Sequence, residues 1–171
     1  MRKGRFLYAL FLLQESERMD YFKPNMSPAA INAVSMLGLA HIGDAVYELM
    51  TRAALCEEGH TAAQELHRRT TARVNAPAQA EAAARILPHL DEEESAIYRR
   101  GRNTHVHSIP HAANVGQYHA ATGLEALFGW LYLQGRTERL NELFSLLRDD
   151  APEKDTIVSP GVLVTRVSIL C

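Results

Sequence analysis

Two carboxylates lie in segments whose other residues are mostly apolar. Asp44 belongs to segment 42–46, and Glu125 belongs to segment 124–133, which is the most apolar part of the chain. A carboxylate among apolar residues must be paired, shift its pKa, bind a cation or face water. Glu48 follows Asp44 by one helical turn and would share its helix face. Oxygen ligands of this kind suit Mg²⁺ or Mn²⁺ better than zinc, although a single acid in an amphipathic helix usually lies at its solvent edge or in a salt bridge.

A second group of residues could bind phosphate. Arginines and histidines cluster within the helical segment. The candidate nucleic-acid-binding residues are Arg68, Arg69, Arg73, Arg99, Arg100, Arg102, His105, His111 and His119. Cationic side chains clustered in this way suit the phosphates of a nucleic acid. A solvated helix face, with cations placed favourably near helix C-termini, would give the same pattern.

The elements that must position these side chains are predicted to be α-helices. Apolar residues recur at helical spacing, and capping residues, Pro or Gly separate the periodic segments. The first predicted helix follows Ser27 and runs toward Met36, and the chain breaks at Gly38. The next helices are predicted at 39–56 and in the segment that Thr61 would cap. The remaining helices are predicted at 77–87, 91–102, 114–133 and 138–148. No alternation of strands and helices is visible, and no strong strand signal precedes residue 157. The sequence therefore predicts an all-α fold of about seven helices.

The composition is that of an ordinary folded domain. The chain has 171 residues, of which 47% are hydrophobic and 22% are charged, and its formal net charge is −2. A strongly basic protein is thereby excluded, although a locally basic face is not. No apolar run approaches the ~20 residues that a membrane helix needs. The two cysteines, Cys56 and Cys171, suit neither a disulfide framework nor a zinc site.

Both ends of the chain differ from its centre. Residues 1–26 begin with basic and apolar stretches similar to a secretion signal, but no cleavage site follows them. We therefore expect a cytoplasmic chain in which 1–26 is an extension, with Met19 as an alternative start. Residues 27–148 are predicted to form the helical functional domain. Residues 149–171 are first polar and proline-broken and then β-branched, which predicts a tail to which we assign no function.

Four blocks of the helical segment resemble the catalytic domain of ribonuclease III, most closely its mini-ribonuclease III branch. They follow the order and spacing of that family and are Leu39–Glu48, Leu66–Arg69, Arg99–Asn103 and Thr122–Leu133. A single block would be a weak signal, but four blocks in order are specific. The resemblance covers residues 27–147 and implies an all-helical endonuclease domain that works as a homodimer.

The resemblance also implies a substrate and its products. The substrate would be double-stranded RNA, and in bacteria the family matures the precursor of large-subunit (23S) ribosomal RNA. Cleavage would leave 5′-phosphate and 3′-hydroxyl ends. We expect no separate double-stranded-RNA-binding domain, because only residues 149–171 follow the catalytic domain. Cleavage specificity could then depend on RNA shape or on a ribosomal protein bound to the substrate.

The metal-binding residues of the family match Asp44 and Glu125 in this chain. The resemblance implies Mg²⁺ as the cofactor and Mn²⁺ as its substitute, and we expect Glu48 to contribute indirectly if at all. Full-length ribonuclease III has further acids where this chain has Ala40 and Thr122, which leaves the number of metal ions open. A catalytically inactive RNA-binding domain is the alternative, but such a domain would need neither carboxylate.

Histidines occupy positions at which related mini enzymes tend to carry lysine or arginine. These positions are His105, His111 and His119. Histidine is mostly neutral above pH 7 and gains its charge near pH 6. We therefore hypothesise that RNA affinity rises as the pH falls.

Overall fold

The computed structural model describes residues 20–105 and 114–148, which form seven α-helices and one short 3₁₀ segment. The helices are α1 Pro28–Asn32, α2 Met36–Glu57, α3 Ala63–Val74, α4 Ala76–Ile86, α5 Glu92–Arg102, α6 Val115–Leu133 and α7 Thr137–Ser145. The 3₁₀ segment is Leu87–His89, between α4 and α5. No strand occurs within the two described ranges. The predicted all-α class and the predicted number of helices are confirmed.

Polar side chains fix where several of these helices begin. Ser27 and Asn75 each accept a hydrogen bond from a backbone N–H of the following helix, which has Pro in its first turn. Asp91 and Glu94 form the predicted capping box at the start of α5, where the Glu94 N–H donates to Asp91 at 2.8 Å. The Asn114 side-chain oxygen caps α6 by accepting hydrogen bonds from the Gly116 and Gln117 N–H groups. These caps satisfy N–H groups that helix geometry leaves without a partner.

Two predicted helix starts are wrong. Helix α2 runs through Gly38 instead of starting after it, because the Ser35 hydroxyl accepts a hydrogen bond from the Gly38 N–H at 3.0 Å and caps the helix earlier. Helix α3 begins at Ala63, and Thr61 does not cap it. The N-cap position is Ala62, whose side chain makes no hydrogen bond to the helix.

Helix α6 lies at the centre of the described fold. Leu124, Leu127, Phe128 and Leu131 are fully buried, and helices α2, α4 and α5 pack against this helix. A helix that is apolar on all sides must be covered by neighbours on all sides. Glu125 is therefore an ionisable group within the central helix of the fold.

A buried ionic cluster joins the start of α5 to α7. Glu94 is 0% exposed and accepts hydrogen bonds from Arg139 at 2.8 and 2.9 Å and from Arg136 at 3.0 Å. Burial raises the pKa of Glu94, but hydrogen bonds from Arg139 and from the Asp91 backbone outweigh it and leave the pKa below its usual range. Removing one partner of an ion pair that contains a buried carboxylate leaves the remaining charge uncompensated. The cluster therefore fixes α5 relative to α7.

Residues 20–26 lie against the C-terminal end of α6. The Met26 N–H donates to the Leu133 carbonyl at 2.9 Å, and the Tyr132 hydroxyl donates to the Tyr21 carbonyl. These contacts attach the segment before α1 to the central helix.

Several predictions concern residues outside the described ranges. They include the segment before residue 20, the tail 149–171 and His111. Among the helices that the structure describes, none combines the length and the apolar character needed to cross a membrane.

Candidate active site

Asp44 and Glu125 line one cleft between helices α2, α4 and α6. The cleft has a volume of about 340 Å³. Its polar lining comes from His41, Asp44, Gln79, Tyr118, Thr122 and Glu125. The fold thus brings together two carboxylates that lie far apart in the sequence.

Two glycines allow α2 and α6 to cross closely beside these carboxylates. A Cβ atom on Gly43 would lie 1.7 Å from the carbonyl oxygen of Glu125, and one on Gly129 would lie 2.0 Å from the carbonyl oxygen of Leu39. Neither position has room for a side chain, so the two backbones are in direct contact. Because Asp44 follows Gly43, this contact fixes its position relative to the helix that carries Glu125.

Both carboxylates of the cleft have raised pKa values. Burial, together with the negative charge of Asp44, raises the pKa of Glu125 to about 7, and the side-chain amide of Gln79 opposes the shift. Burial and the charge of Glu48 raise the pKa of Asp44, while the charge of His41 opposes them. Ionisation of the two groups is therefore unfavourable unless a cation compensates them.

The donor set fits a divalent cation that prefers oxygen ligands. Neither Asp44 nor Glu125 forms an ion pair with a described residue. The described residues contain no group of three or more His, Cys, Asp or Glu side chains that could hold a metal ion. An ion held by two carboxylates would keep several waters, which suits Mg²⁺.

The positions at which full-length ribonuclease III carries further acids also line this cleft. They are Ala40 and Thr122, which are both buried. The Thr122 hydroxyl donates to the Tyr118 carbonyl at 3.1 Å, so its hydrogen is already engaged. Glu48 does not line the cleft and instead forms an ion pair with Arg52, one helical turn later. An indirect contribution of Glu48 to metal binding stays a prediction.

Gln79 is a residue of the cleft that sequence analysis missed. Its side chain is 1% exposed and lies on the buried face of α4. The sequence does contain a signal, because Gln79 is at helical spacing from Ala82, Ala83 and Ile86, which are buried on the same face. A single amide on an otherwise apolar helix face needs a polar partner.

Two of the arginines predicted to contact nucleic acid are held by carboxylates. Arg69 Nε donates to Glu65 at 2.8 Å, and Arg73 donates to both oxygens of Glu58 at 3.0 Å each. Arg73 lies beside Tyr47 in a separate cavity of about 210 Å³. Contact of these two arginines with nucleic acid stays a prediction.

The other predicted cations differ in exposure. Arg68 in α3 and Arg99, Arg100 and Arg102 in α5 are exposed and form no ion pair with a described residue. His105 is also exposed, whereas His119 is half-buried in α6 and its Nδ1 has no hydrogen-bond partner in the described part of the chain. The exposed arginines are therefore accessible to an external anion.

Comparison with known proteins gives consistent similarities. The profile of the Ribonuclease III domain matches residues 37–136. The Mini-ribonuclease 3 of Symbiobacterium thermophilum is 43% identical over 113 residues, which cover 66% of this chain and 87% of that protein. The Mini-ribonuclease 3 of Desulfitobacterium hafniense is 41% identical over 128 residues, which cover 75% of this chain and 81% of that protein.

A solved structure is also similar. The crystal structure of a Fusobacterium nucleatum protein matches with a TM-score of 0.63 and 32% sequence identity. The match covers 68% of this chain and 90% of that protein. The matched domain, residues 37–136, includes both carboxylates of the cleft and all of the two helices that carry them except Met36.

Proposed function

The chain belongs to the ribonuclease III family, in its mini-ribonuclease III branch, and is an endoribonuclease; we propose that it cuts double-stranded RNA with Mg²⁺ held by Asp44 and Glu125. The observation that carries this proposal is the convergence of the two carboxylates, from α2 and α6, on one cleft. Mn²⁺ would substitute for Mg²⁺ because both ions accept oxygen ligands.

The two carboxylates of the cleft would bind the metal ion and, through it, orient the substrate. Asp44 and Glu125 would hold the ion and so place the scissile phosphodiester at the mouth of the cleft. A divalent cation supplies an activated water and stabilises the charge that develops on the phosphate. Hydrolysis of the phosphodiester would leave 5′-phosphate and 3′-hydroxyl ends.

The exposed arginines support a duplex substrate. A-form RNA is recognised mainly through its shape, its phosphates and its 2′-hydroxyl groups. Arg99, Arg100 and Arg102 at the end of α5, together with Arg68 of α3, would contact phosphates. The cellular substrate that we propose is the 23S ribosomal RNA precursor in the cytoplasm, with a ribosomal protein on the RNA helping to select the site.

A homodimer would present two such clefts to one duplex. Leu37 and Leu49 of α2 are 40% and 57% exposed, and Ala45 and Ala53 of the same helix are exposed as well. Exposed apolar residues at a spacing of one helical turn, as at Ala45, Leu49 and Ala53, are typical of an interface. We propose that this side of α2 is the dimer contact, because two-fold symmetry would then match the two clefts to the two RNA strands.

The first experiment measures cleavage of a long RNA duplex with and without Mg²⁺, beside a single-stranded RNA. The Asp44→Asn variant keeps the size of the side chain and removes a ligand charge. We expect its turnover to fall by about 100-fold or more while duplex binding is retained. The matched control is Glu93→Gln, which neutralises an exposed acid of α5 outside the cleft and should cut at the wild-type rate.

Two outcomes would contradict the proposal in different ways. Cleavage by Asp44→Asn at the wild-type rate under saturating Mg²⁺ would show that Asp44 is not a ligand. A wild-type protein that shifts the duplex in a gel without cutting either the duplex or a ribosomal RNA precursor would be an inactive RNA-binding domain.

A further inference from the structure

Gln79 is a polar side chain in a place where apolar residues are expected. It is 1% exposed and lies on the face of α4 that also buries Ala82, Ala83 and Ile86. Glutamine is rarely buried to this extent unless its amide is engaged. Packing alone does not explain an amide at this position, since a leucine or methionine would fill similar space.

The amide nitrogen of Gln79 has no partner within the described part of the protein. Its Nε2 atom is buried and makes no hydrogen bond with a described residue. A buried donor without an acceptor lowers the stability of the folded state. The side chain also lines the carboxylate cleft, so its free donor is beside the two proposed metal ligands.

Glu125 is a carboxylate of the same cleft whose oxygens can accept a hydrogen bond from this amide. Gln79 and Glu125 line the same cleft, and the side-chain amide of Gln79 opposes the upward shift of the pKa of Glu125. The contact is nevertheless not formed within normal hydrogen-bond limits, since Nε2 stays without a partner.

We propose that Gln79 is a positioning residue for Glu125, and that its Nε2 donates to one carboxylate oxygen while the other oxygen faces the cation. The inference rests on the proposed function of Asp44 and Glu125 as metal ligands. Hydrogen bonds to a ligating carboxylate fix its orientation, and their loss typically weakens metal binding or activity by about 10–100-fold. Gln79 itself would touch neither the cation nor the RNA.

A purely structural role for Gln79 predicts a different result. If the amide stabilised the fold, replacing it by an apolar side chain of similar size would lower the melting temperature. If the amide instead serves only to bind Glu125 when the metal ion is present, the same replacement removes an unsatisfied donor from the metal-free protein. Its melting temperature is then unchanged or higher. Stability and metal affinity therefore separate the two roles.

The test compares Gln79→Leu with wild type in three measurements. Mn²⁺ binding to the RNA-free protein is followed by the electron paramagnetic resonance signal of free Mn²⁺, and the melting temperature is recorded in EDTA. Cleavage of duplex RNA gives kcat and KM. We expect a Kd for Mn²⁺ raised by about 10–100-fold, a reduced kcat and an unchanged KM for RNA, without a lower melting temperature.

Control variants keep each outcome decisive. Thr51→Val removes a buried polar group of α2 that lies outside the carboxylate cleft, and it should leave Mn²⁺ affinity unchanged. Gln79→Met repeats the test with a more flexible side chain if Gln79→Leu does not fold. Wild-type Mn²⁺ affinity in a folded Gln79 variant, or a loss of affinity that only parallels a loss of melting temperature, would overturn the inference.

Asp44→Asn and Glu125→Gln separate this inference from the proposed function. If both variants lose Mn²⁺ binding while Gln79→Leu keeps it, the inference alone is wrong. If wild type does not bind Mn²⁺, or if both ligand variants bind it as wild type does, the proposed metal site is wrong and the role of Gln79 with it.

Discussion

The carboxylate of Glu125 opposes folding in the metal-free protein. Its pKa is 4.5 in an unperturbed chain and is raised to about 7 in the folded protein by burial and by the charge of Asp44. A carboxyl group with a raised folded pKa binds its proton more tightly in the native state, so its ionisation is destabilising. The destabilisation is complete above about pH 7, decreases as the pH falls from 7 toward 4.5, and is absent at lower pH.

Glu125→Gln should therefore stabilise the metal-free protein at alkaline pH. We expect a free energy of unfolding higher than that of wild type by about 1–3 kcal/mol at pH 8 in EDTA, and no difference near pH 4. Urea denaturation at the two pH values measures this. The exposed control Glu93→Gln should show no such pH-dependent gain. A Glu125→Gln variant that is less stable than wild type at pH 8 would contradict the prediction.

At the scale of secondary-structure elements, the crossing of α2 and α6 decides the geometry of the cleft. The helices touch through Gly43 and Gly129, and the same helices carry Asp44 and Glu125. The 1.7 Å separation predicted for a Cβ on Gly43 involves a backbone oxygen, which cannot rotate away. A methyl group at this position would force the helices apart and would move the two carboxylates relative to each other.

Gly43→Ala should consequently lower both stability and turnover. We expect a loss of about 3 kcal/mol or more in the free energy of unfolding, because overpacking against a backbone is not relieved by a change of rotamer. Gly38→Ala in the same helix is the matched control, since its Cβ would meet the side chains of Val34 and Ser35 at 2.9 and 3.2 Å. These contacts are with side chains rather than backbone, and alanine favours the helix by about 1 kcal/mol, so the control should lose much less stability than Gly43→Ala. Equal effects of the two substitutions in urea denaturation would show that the α2–α6 contact is not tight.

At the scale of the whole molecule, the exposed apolar side of α2 and the exposed arginines of α5 are surfaces without a described partner. Arg99, Arg100 and Arg102 are exposed in the last turn of α5, and Leu49 is 57% exposed on α2. The two surfaces suit different partners, because phosphate attracts the arginines and a second copy of the chain would cover the leucine.

Leu49→Lys should prevent dimer formation. A charge introduced at the centre of an apolar interface would be buried without a counter-ion, so association becomes unfavourable. Sedimentation should give a dimer for wild type and a monomer for the variant. Leu87→Lys is the matched control, since Leu87 is 38% exposed and belongs to the 3₁₀ segment rather than to α2. A monomeric wild-type protein, or a dimeric Leu49→Lys, would refute this interface.

The sequence by itself determined the all-α class, most helix starts and the identity of the unusual carboxylates. These features are local, since helical periodicity, the Asp91–Glu94 capping box and an acid within an apolar segment are each visible within a few turns. The error in the predicted start of α2 also has a local cause. The Ser35 cap starts the helix before Gly38, although glycine weakens a helix. Whether Asp44 and Glu125 are metal ligands or ordinary surface acids does not depend on neighbouring residues in the sequence alone, and the residue types left this question open.

Only the tertiary structure decided which residues share the cleft. Asp44, Gln79 and Glu125 come from three helices, and no periodicity within one helix relates them. The same holds for Arg73, whose bond to Glu58 depends on how α3 packs beside the end of α2. The physical reason is that a pKa, an ion pair or an unsatisfied amide depends on neighbours brought together by packing, whereas a helix depends on residues next to one another in the chain.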